Sequence, residues 1–235
     1  MGDRRHNLSL PLAFCPILAI STAADDPTAG QRERMVAEQI EARDIHDPDI
    51  LRVMRAIPRH LFVPANVQSS AYEDRPLPIG HWATISQPYI VALMTELLCP
   101  AQNHRILEIG TGSGYQAAIL GQLAAEVYTI EIVSELASSA ANRLRGLGYT
   151  NITVRQGDGY DGWPECAPFD GIIMTAAPPK VPCPLISQLS WNGRLVAPIG
   201  LFRTQELIVI EKKGDGAIRR QSVGPVSFIP MRTGR

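Results

Sequence analysis

The chain has 235 residues, of which 45% are hydrophobic and 19% are charged, and its formal net charge at pH 7 is −1. This length and composition allow a full hydrophobic core, so we expect a single domain over residues 29–235 behind an N-terminal tail. The near-zero net charge provides no broad electrostatic basis for nucleic-acid or membrane binding, and we expect neither partner. No apolar run reaches the roughly 20 residues needed to span a bilayer.

The four cysteines and five histidines are scattered along the chain. They form no C-x-x-C pair, no H-E-x-x-H motif and no histidine pair at helical spacing, which are the arrangements typical of zinc sites. The sequence therefore predicts no metal site and no disulfide framework.

The N-terminal residues 1–28 raise a targeting question. Arg4 and Arg5 precede a 13-residue apolar stretch, LSLPLAFCPILAI, which is followed by small residues. This order resembles a secretory signal peptide. Pro11 and Pro16 interrupt the apolar stretch, which leaves a disordered or loosely packed tail as the alternative. Both interpretations place this segment outside the folded domain.

Residues 29–100 carry helical patterns and a connecting loop. The segment QRERMVAEQIEARD (31–44) spaces apolar residues among charges as an amphipathic helix does. Asp47 followed by Pro48 predicts the cap and first turn of a second helix. The segment SQPYIVALMTELLCP (86–100) predicts a third helix with a broad apolar face, which a proline ends.

After residue 104 strands alternate with helices. Predicted strands cover residues 105–110, 126–131, 152–158, 171–177 and 194–200, and predicted helices cover residues 114–125, 134–148 and 184–190. This alternation predicts a doubly wound α/β fold with a mostly parallel sheet between two layers of helices. Two further strands, 205–213 and 223–230, have no helix between them, which predicts an antiparallel C-terminal addition. Residues 101–235 would thus form the cofactor-binding sheet and these last strands.

The sequence ILEIGTGSGYQ (106–116) is an apolar strand that ends in an acid and then has glycines at every second position. Gly110, Gly112 and Gly114 suit a sharp turn or a ligand that must approach the backbone closely. The dinucleotide motif G-x-G-x-x-G has its third glycine one residue later, so the match to it is incomplete. Taken alone, the loop fits a tight turn and a cofactor loop equally well.

Three acids lie at corresponding positions of consecutive predicted strands: Glu108 in the first turn, Glu131 at the end of the second strand and Asp158 at the end of the third. Glu131 lies 21 residues beyond Gly110, the distance at which an acid accepts hydrogen bonds from ribose hydroxyls. Glu108 would repel a pyrophosphate, whereas it suits a ligand with an amino group and a sulfonium. Asp158 can accept from the exocyclic amine of adenine. A single such acid is usually a helix cap or a solvated residue. The three together favour S-adenosylmethionine over NAD.

Over residues 31–232 the sequence resembles the protein-L-isoaspartate O-methyltransferases, a family of class I S-adenosylmethionine-dependent methyltransferases. The resemblance rests on LPIGHWATISQPYIVA (77–92), LEIGTGSGYQ (107–116), GDGYDGW (157–163), PFDGIIMTAAPP (168–179), GRLVAPIG (193–200) and VSFIPM (226–231). It implies a seven-stranded, Rossmann-like methyltransferase sheet. It also implies methyl transfer from S-adenosylmethionine to the free carboxylate of L-isoaspartyl residues in damaged proteins and peptides, which initiates their repair.

The resemblance also implies site residues. The active-site serine of the family falls on Ser86, which would hydrogen-bond the substrate carboxylate, although its place before a strong helix instead predicts an N-cap. The predicted cofactor-binding residues are Ala83, Thr84, Ile85, Glu108, Gly110, Gly112, Gly114, Glu131, Asp158 and Gly159. The predicted peptide cleft consists of Ser86, Thr175, Ala176, Ala177, Ile229, Pro230 and Met231.

The expected chemistry needs little beyond positioning. An isoaspartyl carboxylate with a pKa of ~4 is ionised at neutral pH, so its methylation requires no strong base. Trp82 departs from the family, which usually has glycine there. A tryptophan is costly if the loop needs positive φ, and it could instead add an apolar wall to the cleft.

Other functions and settings stay open from the sequence. The alternatives are a methyltransferase for another carboxylate or a small molecule, and a non-catalytic binding module with the cofactor fold. We expect a monomer, and the family default for its location is the cytoplasm. Export to the periplasm is the alternative if residues 1–24 are a cleaved signal peptide.

Overall fold

The computed structural model describes residues 26–201 and 204–234. The predicted signal peptide, residues 1–24, lies outside this described part of the chain. Within it, no helix is both long enough and apolar enough to cross a membrane. The same residues contain no group of three or more histidine, cysteine, aspartate or glutamate side chains that could hold a metal ion.

The N-terminal part of the described chain, before residue 77, is mainly helical. The first helix, α1, continues into a π-helical turn (Met35–Ile40) and a 3-10 turn (Glu41–Arg43). The described residues contain six α-helices: α1 (Ala29–Arg34), α2 (Pro48–Ala56), α3 (Pro88–Leu98), α4 (Tyr115–Gly121), α5 (Ser134–Gly146) and α6 (Cys183–Gln188). Further 3-10 helices cover Arg59–Phe62, Ala65–Ser70 and Pro164–Cys166.

In the described part of the chain, nine strands form two sheets. A small antiparallel hairpin consists of β1 (Leu77–Gly80) and β2 (Ala83–Ile85). The main sheet contains β3 (Arg105–Ile109), β4 (Glu126–Glu131), β5 (Ile152–Gln156), β6 (Phe169–Met174), β7 (Leu189–Ile199), β8 (Gln205–Lys212) and β9 (Ile218–Val226). Its order is β5-β4-β3-β6-β7-β8-β9, with β3 to β7 parallel and β8 and β9 antiparallel.

The predicted fold class is confirmed, because the sheet is doubly wound and ends in two antiparallel strands. The local signals behind it also hold. The Asp47 carboxylate accepts hydrogen bonds from the backbone N–H groups of Asp49 and Ile50, and Pro48 is the first residue of α2. The last strand differs from its prediction, since it begins at Ile218 rather than at residue 223.

The central strand β3 is buried on both faces, as expected for a parallel sheet covered by helices. Ile106 packs with the helices of one layer, whereas Leu107 and Ile109 pack with the residues of the other. In the sheet, Ile109 pairs with Ile130 of β4 and with Met174 of β6. The carboxyl ends of these three strands are therefore level, and β4 and β6 flank β3 on opposite sides. Such a switch point is where doubly wound folds bind ligands.

The chain returns to this switch point after β9. The N–H of Ala177 donates to the carbonyl of Ile229 at 2.9 Å, and the N–H of Met231 donates to the carbonyl of Ala177 at 2.9 Å. These bonds fix residues 229–231 beside the loop that follows β6.

The β1–β2 hairpin has a two-residue loop, His81 and Trp82, with φ of 52° and 59°. Positive φ at both positions is the signature of a type I′ turn, which favours Asn-Gly. The loop therefore imposes the backbone conformation that is costly for a tryptophan. The Trp82 side chain is 92% exposed, so it does not form an apolar wall of a cleft.

We predict that Trp82→Asn stabilises the protein by about 0.5–1 kcal/mol, because asparagine adopts positive φ with less strain. The free energy of unfolding in urea measures this gain. The control is Gly80→Ala. Gly80 has φ of 90° and no heavy atom within 4 Å of an added Cβ, so this change adds backbone strain alone. It should cost about 1 kcal/mol. A less stable Trp82→Asn protein would show that contacts of the indole outweigh the strain.

Candidate active site

Three cavities meet at the carboxyl ends of β3, β4 and β6. The inner cavity, about 610 Å³, lies between the glycine loop, the end of β4 and residues 229–232. The open groove, about 1520 Å³ including its mouth, runs between α3 and residues 223–229. The linking cavity, about 300 Å³, lies between the β2 end and the glycine loop. Thr84 and Thr175 line all three, so the cavities join at these two residues.

Two of the three predicted glycines face the inner cavity. Gly110 has φ of 98°, and a side chain there would clash with the Thr175 hydroxyl. Gly112 has φ of 52°, and an added Cβ would lie 3.3 Å from the Ile79 side chain of the hairpin. Their backbone can thus form the cavity surface. Gly114 lies away from all three cavities. Gly114 is the N-cap residue of α4 and has φ of 86°, and an added Cβ would lie 3.2 Å from the Leu144 side chain.

Glu131 ends β4 at the inner cavity and is buried. Its Oε2 accepts from the backbone N–H of Gly112 at 2.8 Å, and its Oε1 accepts from the N–H of Val133 at 3.0 Å. A carboxylate has about four lone-pair sites, so each oxygen can accept one further hydrogen bond. Glu131 therefore fixes the glycine loop and retains acceptor capacity for a ligand.

Glu108 lies within β3 rather than in the turn and is fully buried beside the linking cavity. Its Oε2 accepts from the Thr129 hydroxyl at 2.6 Å, whereas its Oε1 has no partner among the described residues. Burial raises the pKa of this carboxyl to about 8, and the nearby Glu131 charge raises it further. An unpaired buried carboxyl oxygen at a cavity wall is a suitable place for a cationic ligand group.

Asp158 is engaged by the C-terminal segment. One carboxylate oxygen accepts from the N–H of Tyr160 at 2.9 Å, and the other accepts from Thr233 Oγ1 at 3.1 Å and from the N–H of Gly234 at 2.9 Å. The next residue, Gly159, is buried and lines the inner cavity. The loop thus reaches the cavity, but through Gly159 and not through the Asp158 carboxylate.

Ser86 lines both the open groove and the linking cavity. Its interpretation as the cap of α3 is wrong, because Gln87 occupies the N-cap position and makes no side-chain cap bond. Pro88 is the first helical residue, so the N-cap of α3 lies one position later than the sequence spacing predicts. The Ser86 side chain is therefore available to the groove.

The buried side chain of Arg59 holds the backbone of Ser86 in place. Its guanidinium is fully buried and donates to the carbonyl of Ser86 at 2.7 Å and to that of Ala71 at 2.8 Å. It also lies 4.9 Å from the centroid of the Tyr115 ring, which opens α4. Burial lowers the pKa of Arg59 to about 10, so it stays charged at neutral pH. Arg59 was not among the predicted residues, and the available signal was a lone arginine in the apolar run IPRHLFVP (57–64).

The predicted peptide cleft is divided between the cavities. Thr175 and Ile229 line the open groove and the inner cavity, whereas Ala176 and Pro230 line only the inner cavity. Ala177 lines none of the three, and its backbone instead pairs with residues 229–231. Of the other predicted residues in β2, Ala83 lines the inner cavity and Ile85 lines the linking cavity.

The fold and the joined cavities define an α/β protein of the methyltransferase class. A family model described as protein-L-isoaspartate(D-aspartate) O-methyltransferase matches residues 30–235, and the chain belongs to this family. The protein-L-isoaspartate O-methyltransferase of Synechococcus sp. is 48% identical over 234 residues, which cover 97% of this chain and 96% of the relative. That of Pelotomaculum thermopropionicum is 52% identical over 207 residues, or 88% and 90% of the two chains.

A solved structure of a protein-L-isoaspartate O-methyltransferase superimposes with a TM-score of 0.78 at 30% identity. The match covers 85% of this chain and 65% of that longer one.

We predict that Arg59→Met destabilises the protein by about 2–4 kcal/mol, because the carbonyls of Ser86 and Ala71 lose their charged donor. Urea unfolding measures this loss. The control, Arg52→Met, removes an exposed arginine that pairs only with Asp49 on the surface, and it should change stability by less than about 1 kcal/mol. Equal effects of the two substitutions would contradict the structural role of Arg59.

Proposed function

We propose that this protein transfers a methyl group from S-adenosylmethionine to the free carboxylate of L-isoaspartyl residues in damaged proteins and peptides, which initiates their repair. The observation that carries the proposal is the junction at Thr84 and Thr175, where the inner cavity meets the open groove beside Ser86. Family membership supports the same reaction.

The inner cavity fits the cofactor. Its lining brings together the glycine loop, the Glu131 end of β4 and Gly159, at the carboxyl edge of the sheet where doubly wound folds bind ligands. Glu131 would accept hydrogen bonds from the ribose hydroxyls, and the backbone of Gly110 and Gly112 would lie against the ligand. Glu108 lines the linking cavity beside Gly110 and Gly112, and its unpaired Oε1 would accept from the amino group where the ligand reaches there from the inner cavity. When bound, S-adenosylmethionine supplies a methyl group on a positively charged sulfur.

The open groove fits the polypeptide. It runs along α3 and residues 223–229, and Ser86 lies where it meets the linking cavity. The Ser86 hydroxyl would donate a hydrogen bond to one oxygen of the isoaspartyl carboxylate and leave the other directed at the methyl group. Thr84 and Thr175 would separate the two ligands and define the line of transfer.

Positioning is sufficient for this reaction. The isoaspartyl carboxylate is already ionised at neutral pH, so the protein need not remove a proton. The described residues that line the groove and the linking cavity include no histidine, cysteine or lysine. Holding the nucleophile and the methyl group in line can contribute up to ~7–11 kcal/mol. Arg59 would contribute by keeping the Ser86 backbone in place.

The finer properties follow the same proposal. We infer a monomer that acts on damaged polypeptides and not on nucleic acid, in keeping with a net charge of −1. We infer a cytoplasmic location, with export to the periplasm as the alternative.

The proposal predicts that an isoaspartyl peptide is methylated and that its normal aspartyl counterpart is not. Methanol release measures this, since aspartyl-type methyl esters hydrolyse spontaneously.

Ser86→Ala should lower single-turnover methyl transfer at least tenfold, about 1.4 kcal/mol. Calorimetry should find S-adenosylmethionine affinity unchanged, because Ser86 does not line the inner cavity.

Ser86→Thr serves as the matched control, since it retains the hydroxyl and should keep part of the rate. Methylation of both peptides alike would refute the proposed substrate. Wild-type turnover in Ser86→Ala would refute the role of Ser86.

We also predict that S-adenosylmethionine binds more tightly as the pH rises from about 6 to about 8. The Glu108 carboxyl has a pKa of about 8 in the free protein and must lose its proton to pair with the ligand amino group. The Glu108 carboxyl keeps its proton to a higher pH in the folded protein than in the unfolded chain. Glu108 therefore also lowers the stability of the fold as the pH rises from about 4.5 to about 8. Calorimetry across this range should show the trend, and Glu108→Gln should abolish it. A pH-independent affinity of the wild type would exclude this contact.

A further inference from the structure

The open groove has an uneven charge distribution. Its walls are mostly apolar or neutral side chains from α3, from the end of β9 and from the segment after it, among them Tyr89, Leu93, Val226 and Phe228. Of the described residues that line it, Arg43 alone carries a charge at neutral pH. A single cation in an otherwise neutral groove favours a ligand that has a negative group at the matching position.

The Arg43 side chain is held in place. Its guanidinium carbon lies 3.5 Å from the centroid of the Tyr89 ring, and its Nη1 donates to the Asp74 carboxylate at 2.9 Å. Tyr89 lies in α3, three residues after Ser86. Stacking and ion pairing together restrict the guanidinium, so a ligand group loses less free energy in ordering it.

The ion pair does not saturate Arg43. A guanidinium has five N–H donors, and among the described residues only Nη1 of Arg43 makes a hydrogen bond. Asp74 does not line the groove, and the two side chains are 43% and 34% exposed. A second carboxylate can therefore bind the same guanidinium from the groove side without displacing Asp74.

We propose that the open groove selects isoaspartyl polypeptides in which an aspartate or glutamate side chain lies close to the damaged residue, and that Arg43 binds the carboxylate of that side chain. This proposal rests on the proposed function and adds a preference among its substrates. Arg43 is a binding residue here, distinct from the position at Ser86 where the methylated carboxylate lies.

A purely structural role for Arg43 makes different predictions. Arg43 ends a 3-10 turn, where a basic residue interacts favourably with the terminal carbonyls. Such an interaction affects stability, but it does not discriminate between peptides. Substrate preference therefore separates the two roles, and its dependence on ionic strength adds a second criterion.

The test uses isoaspartyl peptides of one length with acetylated and amidated ends, so that no terminal charge competes. Glutamate, glutamine or lysine is placed in turn at each of the two positions on either side of the isoaspartyl residue. At one or more positions we expect kcat/KM to be about two- to fivefold higher for glutamate than for glutamine, the range of partly exposed ion pairs, and lower for lysine. The difference should lie in KM and should shrink at high salt.

Three variants complete the test. Arg43→Gln should lower the ratio of kcat/KM for the glutamate peptide to kcat/KM for the glutamine peptide to about one. Asp74→Asn should increase the preference, because the guanidinium is then no longer partly neutralised. The matched control, Arg52→Gln, removes an exposed arginine outside the groove and should preserve the preference.

A wild-type enzyme that methylates all three peptides equally well would overturn the proposal and leave the proposed function intact. A preference that survives in Arg43→Gln would overturn it as well. Failure to methylate any isoaspartyl peptide would instead refute the proposed function. Thermal melts of each variant verify that the exposed substitutions leave the fold unchanged.

Discussion

The hydrogen bond from Arg59 to the carbonyl of Ser86 is the constraint on which the arrangement of the site depends. The same guanidinium bonds the carbonyl of Ala71 and lies against the ring of Tyr115, directly after the glycine loop. Hydrogen bonds to charged groups contribute ~1.5–3 kcal/mol each, so the bonds of Arg59 resist displacement. One buried cation thus fixes the segment around Ser86 relative to the glycine loop at the inner cavity. Methyl transfer needs this precision, because small errors in alignment reduce the rate steeply.

The sheet was largely predictable because its signals are local. Apolar strands, glycine turns and caps such as Asp47 depend on neighbouring residues in the chain, and the structure retains them. The meeting of Glu108, Glu131 and the glycine loop was also predictable. Parallel strands of similar length bring their carboxyl ends together, as the pairing of Ile109 with Ile130 and Met174 does. The geometry of the sheet, rather than any single residue, places the site.

The remaining parts of the site depend on partners distant in sequence. Arg59 bonds carbonyls 12 and 27 residues away, and no local pattern indicates in which direction a carbonyl points. Asp158 bonds residues 75 and 76 positions later, which a motif around it does not reveal. The N-cap of α3 was misplaced by one residue for a related reason. A serine directly before a helix is a good cap when only the local sequence is considered. Here Arg59 holds the backbone carbonyl of Ser86, and the N-cap position falls on Gln87.

The β1–β2 hairpin is a wall that both ligand sites share. Successive residues of an extended segment point in opposite directions, so the short run from Ala83 to Ser86 reaches the inner cavity, the linking cavity and the open groove. Arg232 donates to the carbonyl of His81 at 2.6 Å and ties the tip of the hairpin to the C-terminal segment. A change in this hairpin on ligand binding in the inner cavity would also move one wall of the groove. By linkage, the affinities of the two cavities would then change by the same factor.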